Sequence, residues 1–141
     1  MTPSAPDSRS VQTVVPRLLV RDGAAAIAFY KNAFNAEEHG ERYSDPDGHL
    51  IHAEIRIGNA TVALSDDDDD APEHLDGRVT AIMETQWADV DTAWQRALAA
   101  GAEIIFPLAD QFYGQRSGRL RDPSGHQWIL SQPLNKSEPK T

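Results

Sequence analysis

The chain contains two copies of one sequence unit, and this repeat limits its possible folds more than any other feature. The tripeptide Asn35-Ala36-Glu37 recurs as Gly101-Ala102-Glu103, 66 residues further along. The same spacing carries Leu64 onto Leu130. A recurring unit of this kind indicates one supersecondary structure built twice. The 141 residues are therefore predicted to form a single small domain made of two half-size modules.

Hydrophobic periodicity predicts the order β, α, β, β, β in each copy. In the first copy, alternation predicts a strand over residues 13–20, and Asp22 and Asn35 are predicted to cap the two ends of a helix. Asp89 and Gly101 occupy the corresponding helix ends in the second copy. The remaining strands are predicted at residues 37–43, 49–57, 60–65, 79–86, 102–106, 117–121 and 126–131.

Composition divides the chain into two modules, a linker and two tails. The acidic run at residues 66–70 is followed by Pro72 and Gly77, a composition that stays solvated instead of packing. Its spacing matches no calcium loop, which favours a linker over a cation site. The α+β fold is predicted to comprise a disordered tail at residues 1–10, a module at 11–66, the acidic linker at 67–78, a module at 79–132 and a disordered tail at 133–141.

Composition also excludes several classes of function. Cysteine is absent, so the chain forms no disulfide, no thiolate zinc site and no cysteine nucleophile. The 13 Lys and Arg against 22 Asp and Glu give a net charge of -9, which repels nucleic acid and favours neutral or cationic ligands. No apolar run approaches the roughly 18 residues of a membrane span, and no signal-peptide pattern opens the chain. We therefore expect a cytoplasmic protein without nucleic-acid or membrane partners.

Several short motifs occur in the order expected for one superfamily. They are, in chain order, Val20-Arg21-Asp22-Gly23, Ala28-Phe29-Tyr30, Phe34-Asn35-Ala36-Glu37, Gln111-Phe112-Tyr113-Gly114 and Asp122-Pro123-Ser124-Gly125-His126. Together with the repeat, they resemble the vicinal oxygen chelate superfamily, which contains glyoxalase I, extradiol dioxygenases, fosfomycin-modifying enzymes and bleomycin resistance proteins. The resemblance is greatest to the glyoxalase-like branch encoded near phosphonate operons. It implies two βαβββ modules whose curved mixed sheets enclose a cleft, usually within a homodimer.

The resemblance also implies where a metal would bind. Enzymes of the superfamily hold one divalent metal through His, Gln or Glu on the first and last strands of each module. In the first module these positions are Val15 and Ala63. In the second they are Ala81 or Ile82, and Ile129. None of these side chains has a donor atom, whereas a divalent ion needs about four to six ligands. The prediction is that the inherited metal site is lost and that no cofactor is bound.

A metal site elsewhere is the competing interpretation. The candidate ligands are His49, His52 and Glu54, of which His52 and Glu54 share one face of a predicted strand. Three protein ligands can hold a catalytic zinc, and His39, Glu41, His74 and His126 are also available. This set has no recognised ligand spacing, however, and Ile51, Ala53 and Ile55 form an apolar opposite face. A polar strand face therefore explains His52 and Glu54 more simply than a ligand set does.

Strand alternation sorts the side chains between a helix-covered face and the cleft. Trp128 shares the parity of Leu130 and is predicted to lie in the core, as is Trp94 on the second helix. Small side chains such as Ala63 leave open volume in the cleft, which a small-molecule site requires. The residues predicted to bind a ligand there are Arg17, His52, Glu54, Phe112, Tyr113 and Gln127. The two loop aromatics in this set are expected to offer flat ring faces.

Three functions are compatible with these observations. The sequence favours a non-catalytic homodimer, similar to the bleomycin resistance branch, that sequesters an aromatic or cationic, antibiotic-like small molecule. No catalytic residue is assigned, because no nucleophile paired with a base is visible. The alternative is a metal-dependent glyoxalase-like lyase or dioxygenase that uses His52 and Glu54. A third hypothesis, a structural or regulatory module, predicts a cleft filled by side chains.

Overall fold

The computed structural model describes residues 13–66 and 81–134. It contains two four-stranded sheets, with strand orders β1-β4-β3-β2 and β5-β8-β7-β6, and two helices. The elements in chain order are β1 (Arg17–Val20), α1 (Gly23–Phe34), β2 (Glu37–Ser44), β3 (Leu50–Ile57), β4 (Ala60–Asp66), β5 (Met83–Gln86), α2 (Val90–Ala100), β6 (Glu103–Asp110), β7 (Gln115–Arg121) and β8 (Gln127–Pro133). The predicted α+β fold with two βαβββ modules is confirmed. Neither helix in this part of the chain is long and apolar enough to cross a membrane.

Several predictions concern residues outside the described part. The predicted tail at residues 1–10 and the acidic linker at 67–78 lie outside it, as do residues 135–141 of the predicted C-terminal tail. The first two residues of the predicted strand at 79–86 also lie outside. Within the described residues, that strand begins at Met83.

Both sheets have the same strand pattern. In each module the first strand runs parallel to the last, and the remaining neighbours are antiparallel. Ala63 on β4 lies beside Arg17 on β1 in the first sheet. In the second sheet, Ile129 on β8 lies beside Glu84 on β5 in the same way. The repeat in the sequence is therefore a repeat in the structure.

Among the strands whose whole predicted range is described, two differ most from their predicted bounds, and each borders or contains a proline. The strand β1 begins at Arg17 instead of residue 13, because Pro16 has no amide N–H to donate to a ladder. The strand β6 continues to Asp110 instead of ending at residue 106, with irregular pairing around Pro107. The last strand runs through Pro133, which the sequence analysis assigned to the C-terminal tail.

The predicted helix caps are confirmed at both ends of both helices. The Oδ1 atoms of Asp22 and Asp89 accept hydrogen bonds from the backbone N–H three residues later, at 3.1 and 3.2 Å. Asn35 and Gly101 end the helices in the left-handed conformation, with φ of 57° and 115°. Because Asn tolerates this conformation, it can stand where glycine is more usual.

One hydrophobic core joins the two modules. The helices α1 and α2 pack against each other, and α1 also contacts the second sheet through its aromatic rings. The Phe34 and Tyr30 ring centroids lie 4.7 and 5.6 Å from that of Trp128. Trp128 and Trp94 are 2% and 4% exposed, which confirms their predicted place in the core.

A buried carboxylate lies between the two modules. Asp122, in the turn between β7 and β8, is 3% exposed. Its Oδ2 accepts hydrogen bonds from the Tyr30 hydroxyl at 2.5 Å and from the Trp128 indole N–H at 2.9 Å. Its Oδ1 accepts from the backbone N–H groups of Ser124 and His126 at 2.9 and 3.0 Å. Burial and the Asp122 charge raise the pKa of Tyr30 far above its usual range, so the hydroxyl remains a donor.

Replacing Trp128 with alanine is expected to lower the free energy of unfolding by about 3 to 5 kcal/mol, the usual cost of truncating a large buried aromatic side chain. The variant also removes one donor to Asp122. Denaturant unfolding followed by circular dichroism measures the change. Phe112→Ala is the control, because Phe112 is 99% exposed and its loss should change stability by less than about 0.5 kcal/mol. A Trp128→Ala protein as stable as the wild type would place this side chain on the other face of β8.

Candidate functional site

Each sheet has one face that contributes to the core and one open face. On β1 and β8, the buried Leu18 and Leu130 belong to the core. Arg17, Gln127 and Ile129 alternate with them along the same strands and are more exposed. These side chains therefore belong to the open faces, where the sequence analysis placed the ligand-binding residues.

A polar cluster occupies the open face of the first sheet. Arg17 Nη1 lies 3.1 Å from His52 Nδ1, and Arg17 Nη2 donates to the backbone carbonyl of Ile51 at 2.7 Å. His52 Nε2 lies 3.2 Å from Glu54 Oε2. A guanidinium group has only donors, so Nδ1 must accept, and the imidazole proton therefore resides on Nε2, where it is donated to Glu54. Three of the six predicted residues, Arg17, His52 and Glu54, thus form one chain of hydrogen bonds.

The same contacts oppose metal binding by His52 and Glu54. Both ring nitrogens of His52 are engaged, and one of them faces a guanidinium cation that would repel a divalent ion. Within residues 13–66 and 81–134, the group of three metal-ligating side chains close enough to share an ion is Asp45, Asp47 and His49. There Asp45 Oδ1 accepts from the backbone N–H of Asp47 and His49, both at 2.9 Å, so the turn itself explains this group.

The other three predicted residues belong to the second sheet. Phe112 and Tyr113 lie in the turn between β6 and β7, 99% and 59% exposed, with their rings edge to face and their centroids 5.2 Å apart. The Tyr113 hydroxyl lies 3.2 Å from Ser117 Oγ. On β8, Gln127 Oε1 accepts a hydrogen bond from Arg119 Nη1 at 3.3 Å. Both loop rings are therefore accessible to a ligand in the described part of the chain.

The six residues do not form one site within the chain. Arg17, His52 and Glu54 form one cluster on the first sheet. On the second sheet, Gln127 pairs with Arg121 at one end of β8, whereas Phe112 and Tyr113 lie just before Gln115, which pairs with Pro133 at the other end, roughly 20 Å away. No hydrogen bond, ion pair or ring contact among the described residues joins these three places. Two cavities lie elsewhere: one of about 640 Å³ is bordered by Phe34, Trp87 and Trp128. The other, of about 360 Å³, lies beside Tyr30 and Asp122. None of the six predicted residues lines either cavity.

The inherited metal positions on the last strands lie at equivalent places in the two sheets. Ala63 is buried on β4, and Ile129 is half-buried on β8. The first-strand positions lie just before their strands: Val15 precedes β1 and is 40% exposed, and Ala81 and Ile82 precede β5. The centres of the two open faces are therefore apolar and small or medium in size.

Arg119 is a residue of the open face that the sequence analysis did not assign. It lies beside Ile129, and its guanidinium carbon is 5.1 Å from the centre of the Phe106 ring on β6. A Cβ on the preceding Gly118 would lie 2.5 Å from the Trp94 ring, so Gly118 faces α2 and Arg119 faces the other way. The sequence feature that could have identified Arg119 is the glycine before it, because a glycine inside a strand often marks the close approach of another group.

Comparisons with known proteins agree with this fold. The family model of the Glyoxalase/Bleomycin resistance protein/Dioxygenase superfamily matches residues 11–130. A protein of Mycobacterium tuberculosis (strain H37Rv), described as uncharacterized, is 45% identical over 128 residues, which cover 86% of this chain and 74% of its own. TioX from Micromonospora sp. ML1 has a TM-score of 0.65 and 24% identity, covering 92% of this chain and 100% of its own. The fosfomycin resistance protein FosX from Listeria monocytogenes has a TM-score of 0.68 and 22% identity, covering 90% of this chain and 97% of its own.

The two structural likenesses are below 25% identity and therefore concern the fold alone. The family model extends over nearly all of the described residues and includes both modules. The mycobacterial relative is much more similar in sequence and also covers most of this chain. The resemblance found in the sequence motifs is thus confirmed, and the chain belongs to the glyoxalase/bleomycin resistance protein/dioxygenase superfamily.

Proposed function

We propose that this protein binds and sequesters an aromatic or cationic, antibiotic-like small molecule on its open sheet faces, without the metal of its enzymatic relatives. The observation that carries the proposal is the apolar character of Ala63 and Ile129, which occupy equivalent places in the two sheets. On the first sheet, Arg17, His52 and Glu54 form a polar network beside this apolar centre. Small apolar walls with a few fixed polar groups are typical of small-molecule sites.

The residues at the inherited positions do not fit a divalent metal ion. Val15, Ala63 and Ile129 offer only hydrocarbon, and so do both candidates for the remaining position, Ala81 and Ile82. A divalent ion in a protein is held by oxygen, nitrogen or thiolate sulfur atoms. We therefore derive no chemical step through a metal.

Protein purified without chelators is expected to contain much less than one equivalent of divalent metal, measured by elemental analysis. About one zinc, nickel or iron ion per chain, lost on His52→Ala, would contradict the proposal. It would support the alternative, a metal-dependent glyoxalase-like lyase or dioxygenase. The observation that favours this alternative is that two potential ligand atoms, His52 Nε2 and Glu54 Oε2, lie 3.2 Å apart, whereas the Arg17 guanidinium beside His52 opposes it.

We further propose that the protein is a homodimer in the cytoplasm. Both described sheets are open, so β1, β2, β5 and β6 are edge strands. Large apolar side chains are exposed near these edges, including Val14 at 80%, Ile104 at 50% and Phe106 at 56%. Unpaired edges and exposed apolar side chains favour association. A second copy would also allow predicted ligand-binding residues that lie apart within one chain to form one site from two chains.

Light scattering at micromolar concentration is expected to give about twice the 15.5 kDa mass of one chain. The reason is that one chain leaves four sheet edges without a partner among its described residues. A monomer at this concentration would contradict the site shared between two chains.

A planar aromatic compound is expected to bind by stacking on Phe112 or Tyr113, while Arg17, His52 and Gln127 orient it. Ring stacking contributes about 0.5 to 1.5 kcal/mol beyond area burial, so Phe112→Ala or Tyr113→Ala should weaken binding about two- to tenfold. Proflavine, a planar aromatic cation, is a suitable probe because its absorbance reports binding directly. Thermal melting should be nearly unchanged, since both rings are exposed.

Ile104→Ala is the matched control for these loop variants. It removes an exposed apolar side chain from β6 of the same module, at 50% exposure, but not from the loop. Because Ile104 lies on an edge strand, light scattering first verifies that this variant keeps the mass of the wild type, and binding should then be unaffected. An equal loss of affinity in all three variants would indicate nonspecific hydrophobic binding and contradict stacking on the loop.

A further inference from the structure

We propose that Arg119 binds the carboxylate group of a small aromatic acid on the open face of the second sheet. This inference rests on the proposed function and narrows its ligand class from aromatic or cationic molecules to aromatic acids. Arg119 is neither one of the inherited metal positions nor one of the residues that the sequence analysis assigned to the site.

Arg119 is held in a defined position. It lies on β7, between β8 and β6, where it pairs with Ile129 on one side and Phe106 on the other. Its guanidinium carbon is 5.1 Å from the Phe106 ring centre, and its Nη1 donates to Gln127 Oε1 at 3.3 Å. A side chain fixed by its neighbours loses little conformational freedom when a ligand binds.

The charge of Arg119 has no acidic partner in the described part of the chain. No carboxylate there lies within 4.0 Å of its guanidinium group, and its buried Nε has no hydrogen-bond acceptor. Two other arginines of the same strand each have a carboxylate partner. Arg116 contacts Asp91 at 2.8 Å. Arg121 lies 3.6 Å from Glu103. A half-buried cation without a carboxylate partner is costly, and an oxyanion beside the Nη groups at the end of the side chain would reduce that cost.

The acidic residue in the same row of the sheet does not reach Arg119. Glu84 on β5 pairs with Ile129 on β8, and Ile129 pairs with Arg119. Two strand spacings, roughly 10 Å, therefore separate the Glu84 and Arg119 backbones. Because the Ile129 side chain lies between them on the same face, the guanidinium group remains available to a ligand.

The neighbours of Arg119 fit an aromatic ring with an attached carboxylate. Phe106, 56% exposed, and the half-buried Ile129 provide an apolar surface for the ring. In an adjacent row, roughly 7 Å along the strands, the buried Ser117 and Ser131 lie opposite each other, so the surface beside Ile129 continues without a charged side chain. The planar guanidinium fork matches a carboxylate in geometry and charge, which a neutral or cationic substituent does not.

The negative net charge of the chain does not exclude this ligand. A net charge of -9 acts over the whole surface, but salt screens such forces beyond about 8 to 10 Å under physiological conditions. A ligand in contact with Arg119 responds mainly to the groups within that distance. The local guanidinium group therefore outweighs the overall charge.

The test compares benzoate with benzamide and benzamidine, which share its ring but carry a neutral and a cationic group. Each is titrated into the full chain at physiological salt, and two-dimensional NMR follows the backbone amides and the arginine Nε–H groups. Benzoate is expected to shift the Arg119 Nε–H resonance and to bind at least about tenfold more tightly than the other two compounds.

Arg119→Gln is expected to weaken benzoate binding at least about tenfold while leaving benzamide binding unchanged. Arg119→Lys keeps the charge but loses the fork, and should give an intermediate affinity. The matched control is Arg121→Gln, which removes an exposed arginine of the same strand and should leave benzoate binding unaltered. Should Arg119→Gln fail to fold, the Arg119 Nε–H resonance of the wild type decides, and no shift with benzoate overturns the proposal.

Other outcomes separate this inference from the function on which it rests. Benzoate binding that is unchanged in Arg119→Gln would overturn the assignment of Arg119. Benzamidine binding more tightly than benzoate would also overturn it, but would leave a small-molecule function with a cationic ligand intact. If neither these three compounds nor proflavine shifted any resonance of either open face, both proposals would fail.

Discussion

The buried Asp122 carboxylate joins the two modules through the hydrogen bond that it accepts from Tyr30. One oxygen accepts from Tyr30, on the helix of the first module, and from Trp128, on the last strand of the second. Removing either donor would leave a buried charge partly unsatisfied, at a cost of about 1 to 3 kcal/mol. The carboxylate therefore couples the position of α1 to the orientation of β8, and the aromatic core packs around this contact.

The same contacts determine what the open faces present. Because Trp128 is held in the core, its neighbours Gln127 and Ile129 must point to the opposite face. On β7 the tryptophan of α2 takes the space that a Cβ on Gly118 would need, so Arg119 also points to the open face. The chemistry available to a ligand thus depends on large aromatic side chains buried on the other side of the sheet.

The two open faces share one backbone pattern but differ in charge balance. On the first, Arg17 is bonded to His52, which donates to Glu54, so a positive and a negative charge lie in one network. On the second, Arg119 has no carboxylate within 4.0 Å among the described residues. This local difference, and not the net charge of the chain, is the basis on which we assign an acidic ligand to the second face.

The sequence by itself determined the modules, the four helix caps, the core position of Trp128 and the lack of donor atoms at Ala63 and Ile129. Capping and alternation depend on a residue and its nearest neighbours, so short stretches of sequence are enough to predict them. Only the tertiary structure decided which charges meet. Arg17 reaches His52 across 35 residues, whereas Arg119 meets no carboxylate in the described part. Such partners lie on different strands, and the register and packing of those strands set the distances between them.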